Sequence, residues 1–342
     1  MNANCFKYTI LYGFRNIGNR CYLNSVIQLL FSIKPILNLN KSENDIIIDE
    51  KNEFIQSFLE LGDMYFEKLE IKPKSSYTVI NKFNAIDEDN VLDTDNIYEV
   101  LDKTYKLDNF QHDAHEILHY IIEILDKTVK LKNKKEILFN KNFNDTILKI
   151  SQKKWVTQNN FSIISKTFKG QSRDKITCGK CFIEKNIFNS FVDISINIVN
   201  NSIKESMDNF CKTETVNYFC EFCKTENPST KVVSFTILPD FLILHLKRFE
   251  YDIESNTIIK DNATIKDISD VQTLESLENP KTKYTMLSCI EHIGENSDFG
   301  HYITYNNSFK ENIVLFDDET VINTTKENIC KSPYIIILQK NE

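Results

Sequence analysis

The 342-residue chain is poor in glycine, with seven, and carries only six prolines, six histidines and one tryptophan. Average usage would place about 24 glycines in a chain of this length. It also lacks any stretch near the roughly 18 consecutive apolar residues that a membrane-spanning helix needs, so no membrane partner is expected. The leading residues Met1 to Thr9 do not show the basic-then-apolar order of a secretion signal. Positive charge is short as well: 41 Lys and Arg stand against 49 Asp and Glu, a net charge of -8. Nucleic acid is bound by basic surfaces that release counterions, so no nucleic-acid partner is expected either. There is no internal repeat and no low-complexity linker.

Present instead is an ordinary soluble composition, 41% hydrophobic and 26% charged. The nine cysteines are an odd number. With no secretion signal they read as metal ligands, a nucleophile and buried fillers, and a cytoplasmic or nuclear compartment follows. The few glycines are placed selectively: Gly13 and Gly18 precede Cys21, Gly179 lies inside a Cys-x-x-Cys, and Gly294 and Gly300 precede His301. Glycine is required where φ is positive or where the backbone closely approaches another group. Five of the seven therefore mark constrained positions beside candidate chemistry.

Apolar spacing predicts helices over Cys21 to Ile33, with Asn19 as cap and Pro35 as stop, over Glu53 to Leu69, and over about Gln111 to Lys130. The acidic stretch Asp87 to Asp95 reads as an exposed loop. From about Phe161 the pattern turns to strands: Val232 to Leu238, Phe241 to Phe249, Thr285 to Ile293, His301 to Tyr305, Ile313 to Phe316 and Tyr334 to Gln339. Helices first and strands later predict an α+β fold, with the site in a cleft between the two parts.

Three motifs carry chemistry. In Gly13-Phe14-Arg15-Asn16-Ile17-Gly18-Asn19-Arg20-Cys21-Tyr22-Leu23-Asn24-Ser25, Cys21 falls at the first turn of a helix. The positive end of the helix dipole favours a thiolate there, and the thiolate is the nucleophile. Asn16, in a loop bounded by glycines, is placed to point an amide at an oxyanion. The competing reading is a buried cysteine at a helix start. Far downstream, Phe299-Gly300-His301-Tyr302-Ile303-Thr304-Tyr305 and Phe316-Asp317-Asp318-Glu319 offer a base and a carboxylate to orient it. His301 and Asp317 would complete a triad in the order Cys, His, Asp. The third motif is the pair Cys178-Gly179-Lys180-Cys181 and Cys220-Glu221-Phe222-Cys223. Two Cys-x-x-Cys pairs supply the four thiolates of a closed structural Zn²⁺ site. A zinc ribbon that binds a partner, or four reduced cysteines without metal, would share that spacing.

The nucleophile and histidine boxes resemble those of the ubiquitin-specific proteases, papain-like cysteine deubiquitinases. Arg20 stands where that family usually has threonine. Phe110-Gln111-His112-Asp113-Ala114-His115-Glu116 resembles a further box of the same family, and the run Lys231 to Phe249 resembles its strand pair that returns from the zinc-bearing fingers. The resemblance spans Gly13 to about Leu338. It implies a single catalytic domain over residues 1–342: a helical thumb to about 135, zinc-bearing fingers over about 160–235, and a β-sheet palm from 136–159 and 236–342. It implies hydrolysis of the peptide or isopeptide bond after the terminal glycine of ubiquitin, with Asp318 beside the triad in an assisting place. Gln111, Asp113, His292 and Tyr302 would meet the extended, basic ubiquitin tail, although Asp113 equally suits a helix cap. Zinc would be structural, catalysis would need no cofactor, and the partners would be ubiquitin and ubiquitinated proteins. A protease for another ubiquitin-like modifier, or an inactive ubiquitin-binding module, are the alternatives.

Overall fold

The computed structural model describes residues 11–39, 46–70, 91–132, 146–159, 162–254, 256–295, 299–307, 313–325 and 329–341. The fold is mixed α/β and divides into two compact units. One comprises Met1–Lys132, Phe249–Asp261 and Leu287–Ile335; the other comprises Asn133–Arg248, Asn262–Met286 and Ile336–Glu342. Among the described residues no helix is long and apolar enough to cross a membrane.

The first unit is built around the helix Cys21–Phe31, all of whose residues are buried. Leu23, Val26, Ile27, Leu29 and Leu30 are fully enclosed, each worth about 1.5–3 kcal/mol relative to exposure. Two of its polar side chains, Gln28 and Asn24, find partners. Gln28 donates to the Tyr12 carbonyl at 2.7 Å and accepts from the Tyr65 hydroxyl. Asn24 accepts from Thr94 at 3.0 Å. Phe14, Phe31, Phe58 and Tyr65 form an edge-to-face aromatic cluster beside it. The helix stops at Phe31, two residues before the expected end. Pro35 then sits in the first turn of a separate short helix, Lys34–Leu37, where its missing N–H costs nothing.

The helices Glu53–Glu70 and Ala114–Thr128 match the spacing argument, the latter starting at its Asp113 cap. The stretch read as an acidic loop differs: residues 87–90 lie outside the described set, Val91–Leu92 pairs in parallel with Gly13–Phe14, and Asp95–Tyr105 is a helix. Ile97, Tyr98 and Leu101 on one face supply its burial, a short stripe masked in sequence by the acids around it. An antiparallel meander closes the unit. The end of strand Thr282–Ile293 pairs with His301–Asn306, that strand with Ile313–Asp317, and the last with Thr320–Thr324. A small hairpin, Phe249–Asp252 with Thr257–Lys260, belongs to the same unit.

The second unit carries a four-stranded antiparallel sheet ordered Glu184–Phe191, Gly170–Cys178, Thr225–Ile237, Glu214–Cys220. Strands Asp193–Ile196 and Phe241–Leu246 pair in parallel in this unit. The helices Thr146–Gln158, Ile163–Thr167 and Ile203–Phe210 were not expected. Trp155, 1% exposed, anchors the first. Its polar run Lys149 to Gln158 gives little period to read.

Candidate active site

Residues 13–21 are held by backbone before any side chain acts. Phe14 N–H donates to the Asp318 carbonyl and Arg15 N–H to the Leu92 carbonyl, both at 2.8 Å. Gly13 passes so close to the 318–319 turn that a Cβ there would lie 2.3 Å from the Glu319 carbonyl oxygen. The turn carrying Asp317 and Asp318 is thereby tied to the segment that leads into Cys21.

Cys21 is the first residue of the buried helix and is 2% exposed. The expected Asn19 cap does not form. Arg20 occupies the cap position without a side-chain cap bond, and the Asn19 amide reaches the Asn109 carbonyl. The Arg20 guanidinium instead lies 3.9 Å from the Tyr98 ring centroid and pairs with Asp95. Its backbone N–H donates to Asn16 Oδ1 at 3.0 Å.

His301 opens its strand. Its Nε2 lies 2.6 Å from Asp317 Oδ1, and the Cys21 thiol is near enough to act on its charge. Asp317, then Cys21, push the imidazole up to about 10 against an opposing effect of burial. The ring is therefore an imidazolium at neutral pH, the charge that favours a thiolate beside it. With Nε2 on Asp317, Nδ1 is the nitrogen left to face the sulfur.

Asp318 does different work. It is 4.0 Å from the His301 ring nitrogen. Its Oδ2 accepts from the Asn16 amide at 2.7 Å and its Oδ1 from the Asn24 amide at 2.8 Å. Burial raises its pKa while the two amides resist that rise. One carboxylate thus ties Asn16 to Asn24, one turn beyond Cys21. Asn24 was not singled out in the sequence, although its i+3 spacing from Cys21 puts both near one face of the helix.

The four residues expected at the ubiquitin tail come together in the same unit, mostly engaged with the protein itself. Gln111 Nε2 donates to the Gly300 carbonyl at 2.6 Å, and Gly300 N–H donates to Gln111 Oε1 at 2.9 Å. This clamps the peptide directly before His301. Gly300 needs to be glycine, since a Cβ would lie 2.1 Å from His292 Nε2. Asp113 caps its helix, accepting from His115 N–H at 2.6 Å and from the Tyr334 hydroxyl. His292 is 3% exposed; burial, aided by the Lys260 charge, lowers it to about 4, so it is neutral. Its ring packs on Tyr302 at 4.8 Å and Phe249 at 5.4 Å. Tyr302 is buried, and burial raises its phenol well above the usual range. Lys260 Nζ donates to the carbonyls of His292 and Gly294, each at 2.7 Å. No sequence signal pointed to Lys260 or Tyr334.

In the second unit the two Cys-x-x-Cys turns converge. The sulfurs of Cys178, Cys181, Cys220 and Cys223 all lie within 4.8 Å of one another, with Cys178–Cys223 at 3.9 Å and Cys181–Cys220 at 3.6 Å. Four sulfurs about 2.3 Å from one tetrahedral Zn²⁺ would be about 3.8 Å apart, so the donor set fits the metal. None of the four is in a disulfide. Backbone amides of Cys181 and Lys180 draw the Cys178 thiol down to about 6, while the neighbouring thiols push Cys223 up to about 12.

Residues 12–337 match the family Ubiquitin carboxyl-terminal hydrolase. The chain belongs to that family. It is 26% identical over 342 residues to Ubiquitin carboxyl-terminal hydrolase 25 of Arabidopsis thaliana, covering 96% of this chain and 47% of the relative. The chain thus spans about half the length of that curated relative. Two solved structures share the fold. One is a SAGA DUB module of Ubp8, Sgf11, Sus1 and Sgf73 bound to monoubiquitin, with a TM-score of 0.73 and 20% identity, covering 100% of this chain and 72% of that one. The other is the same module bound to ubiquitin aldehyde, with a TM-score of 0.69 and 19% identity, covering 97% and 70%.

Proposed function

We propose that the chain is a thiol-dependent deubiquitinase that hydrolyses the peptide or isopeptide bond after the C-terminal glycine of ubiquitin. The observation that carries this reading is His301, held by the Asp317 carboxylate and raised in pKa by Cys21 beside it, in a member of this hydrolase family. Cys21 attacks the carbonyl as thiolate. His301 gives its proton to the leaving amine, and the resulting thioester is opened by water with His301 as base. Asp317 holds the imidazole. The Asn16 amide, one hydrogen of which is spent on Asp318, has its second for the oxyanion.

The residues 1–135, 160–235, and 136–159 with 236–342 serve in this reading as thumb, fingers and palm. The Cys178, Cys181, Cys220 and Cys223 sulfurs would hold Zn²⁺, which supplies a cross-link for the fingers and no chemistry. Of the proposed tail contacts, Asp113 keeps acceptor capacity for a basic tail side chain, while Gln111, His292 and Tyr302 stand behind it. The partners are then ubiquitin and ubiquitinated proteins. A cytoplasmic or nuclear location belongs to the same reading, since thiol ligands and a thiol nucleophile require a reducing compartment.

The test is a ubiquitin probe with a C-terminal electrophile, run beside Cys21→Ala and matching probes for other ubiquitin-like modifiers. An adduct one ubiquitin heavier, absent in Cys21→Ala, is expected. An adduct only with another modifier replaces the substrate, and binding without any adduct makes the protein a receptor.

A further inference from the structure

We propose that His115 and His119 form a second metal site, an imidazole chelate for a divalent transition metal such as Zn²⁺, Ni²⁺ or Cu²⁺. The two residues are four apart on the helix Ala114–Thr128, a spacing that stacks side chains on one face. Their Nε2 atoms are 3.1 Å apart, with ring centroids 4.6 Å apart and the rings nearly perpendicular at 83°. Two nitrogens at that separation can both lie about 2.0–2.1 Å from a single ion, subtending roughly 100° at it. That angle suits tetrahedral or square-planar coordination. Both side chains are half-buried, so an ion can reach them.

The helix is rigid where this matters. Asp113 caps it, and Ile117, Leu118, Ile121, Ile122 and Leu125 are buried along it. The rings are therefore placed before the metal arrives, and less ordering entropy is lost on binding. Neutral imidazoles select zinc, copper and nickel over magnesium and calcium. The other use of the same geometry is a hydrogen bond from one imidazole to the other. Metal replaces that shared proton, and a shift of one ring proton from Nε2 to Nδ1 frees both nitrogens without net proton loss.

The run His115-Glu116-Ile117-Leu118-His119 has the spelling of the zinc metalloprotease helix, in which the glutamate is the base. Here Glu116 is exposed and accepts from the Tyr120 hydroxyl, whose ring is stacked on Tyr105 at 3.9 Å. The carboxylate is committed to its own neighbour, so the site binds a metal without a hydrolytic role. It also differs in kind from the four-thiolate knuckles, which are closed and leave no position for water.

The test uses the full chain carrying Cys21→Ala, which removes the competing nucleophilic thiol, with its knuckles loaded with zinc beforehand. Added Zn²⁺ is followed by calorimetry and by the ring-proton NMR signals of the six histidines. The signals of His115 and His119 are expected to move while the other four stay, and Ni²⁺ is expected to broaden the same two. Linking two ligands makes the second ligation intramolecular, so His115→Gln or His119→Gln is expected to weaken the added binding about 10²-fold. Glutamine is a good helix former, and unchanged far-UV circular dichroism checks the fold. Ring signals that do not respond to zinc, or added binding retained in both variants, would overturn the proposal.

Discussion

Cys21 and the four knuckle cysteines carry the same thiol in two different surroundings, and the two proposed uses of it follow that difference. Cys21 lies at the head of a helix whose every residue is buried. In the same unit His301 is held by Asp317, and Asn16 by Asp318 and the Arg20 N–H. The knuckle sulfurs end thin hairpins. Strand Glu184–Phe191 buries only Phe188 and strand Glu214–Cys220 only Cys220, while Phe182, Phe219 and Phe222 are exposed. A sheet tip without a core cannot be held by apolar burial, and the proposed Zn²⁺ on the four sulfurs would supply what packing does not. Reactivity follows from one thiol and its neighbours, whereas a metal site needs four thiols and each other.

Four measurements test that contrast. The largest effect is expected at Asp317. Asp317→Asn should lower kcat by about 10²–10⁴-fold, the usual worth of a positioned acid–base group. It should also return the His301 titration, followed by NMR, from about 10 toward its ordinary value, because Asp317 is the main cause of the rise. A larger loss in Asp318→Asn than in Asp317→Asn would reverse the assigned roles.

Next comes the oxyanion loop. Asn16→Ala should cost about 10²–10³-fold in kcat, as loss of one oxyanion donor does. Alkylation of Cys21 by a small reagent, which forms no oxyanion, should change little. If alkylation falls equally, Asn16 supports the helix start and not the reaction.

Zinc removal should act at the other region. Amide exchange over 178–183 and 220–225 is expected to accelerate, and ubiquitin binding to weaken before the alkylation rate of Cys21 changes. Parallel loss of both would contradict a purely structural metal.

The smallest effect is on stability. The folded His301 titrates at about 10 against an ordinary 6.5, so its pairing stabilises the fold fully below about 6.5 and is lost as pH rises through about 10. With side chains 35% and 46% exposed, the His301–Asp317 pair is expected to be worth about 1 kcal/mol or less. Denaturant melts of wild type and Asp317→Asn at pH 6 and pH 10.5 measure it; a gap that widens with pH would have the wrong sign.

The sequence by itself determined the residues that chemistry demands at short range: a cysteine at a helix start behind a glycine-bounded loop, a histidine after glycine at a strand start, and two Cys-x-x-Cys turns. Spacing within one element carries such information, because the 3.6-residue and 2-residue periods dictate which side chains share a face. It also determined most strands and the three helices with strong apolar stripes. Folding alone settles how the polar side chains of different elements are spent. Asp317 turns to His301 while the adjacent Asp318 turns to Asn16 and Asn24. Gln111 and Asp113 hold Gly300 and Tyr334, and Lys260 ties two carbonyls before the His301 strand. The physical reason is that a polar side chain has several possible partners of similar worth. Which of them it meets is set by packing across 200 or 300 residues of chain, and no local period encodes that.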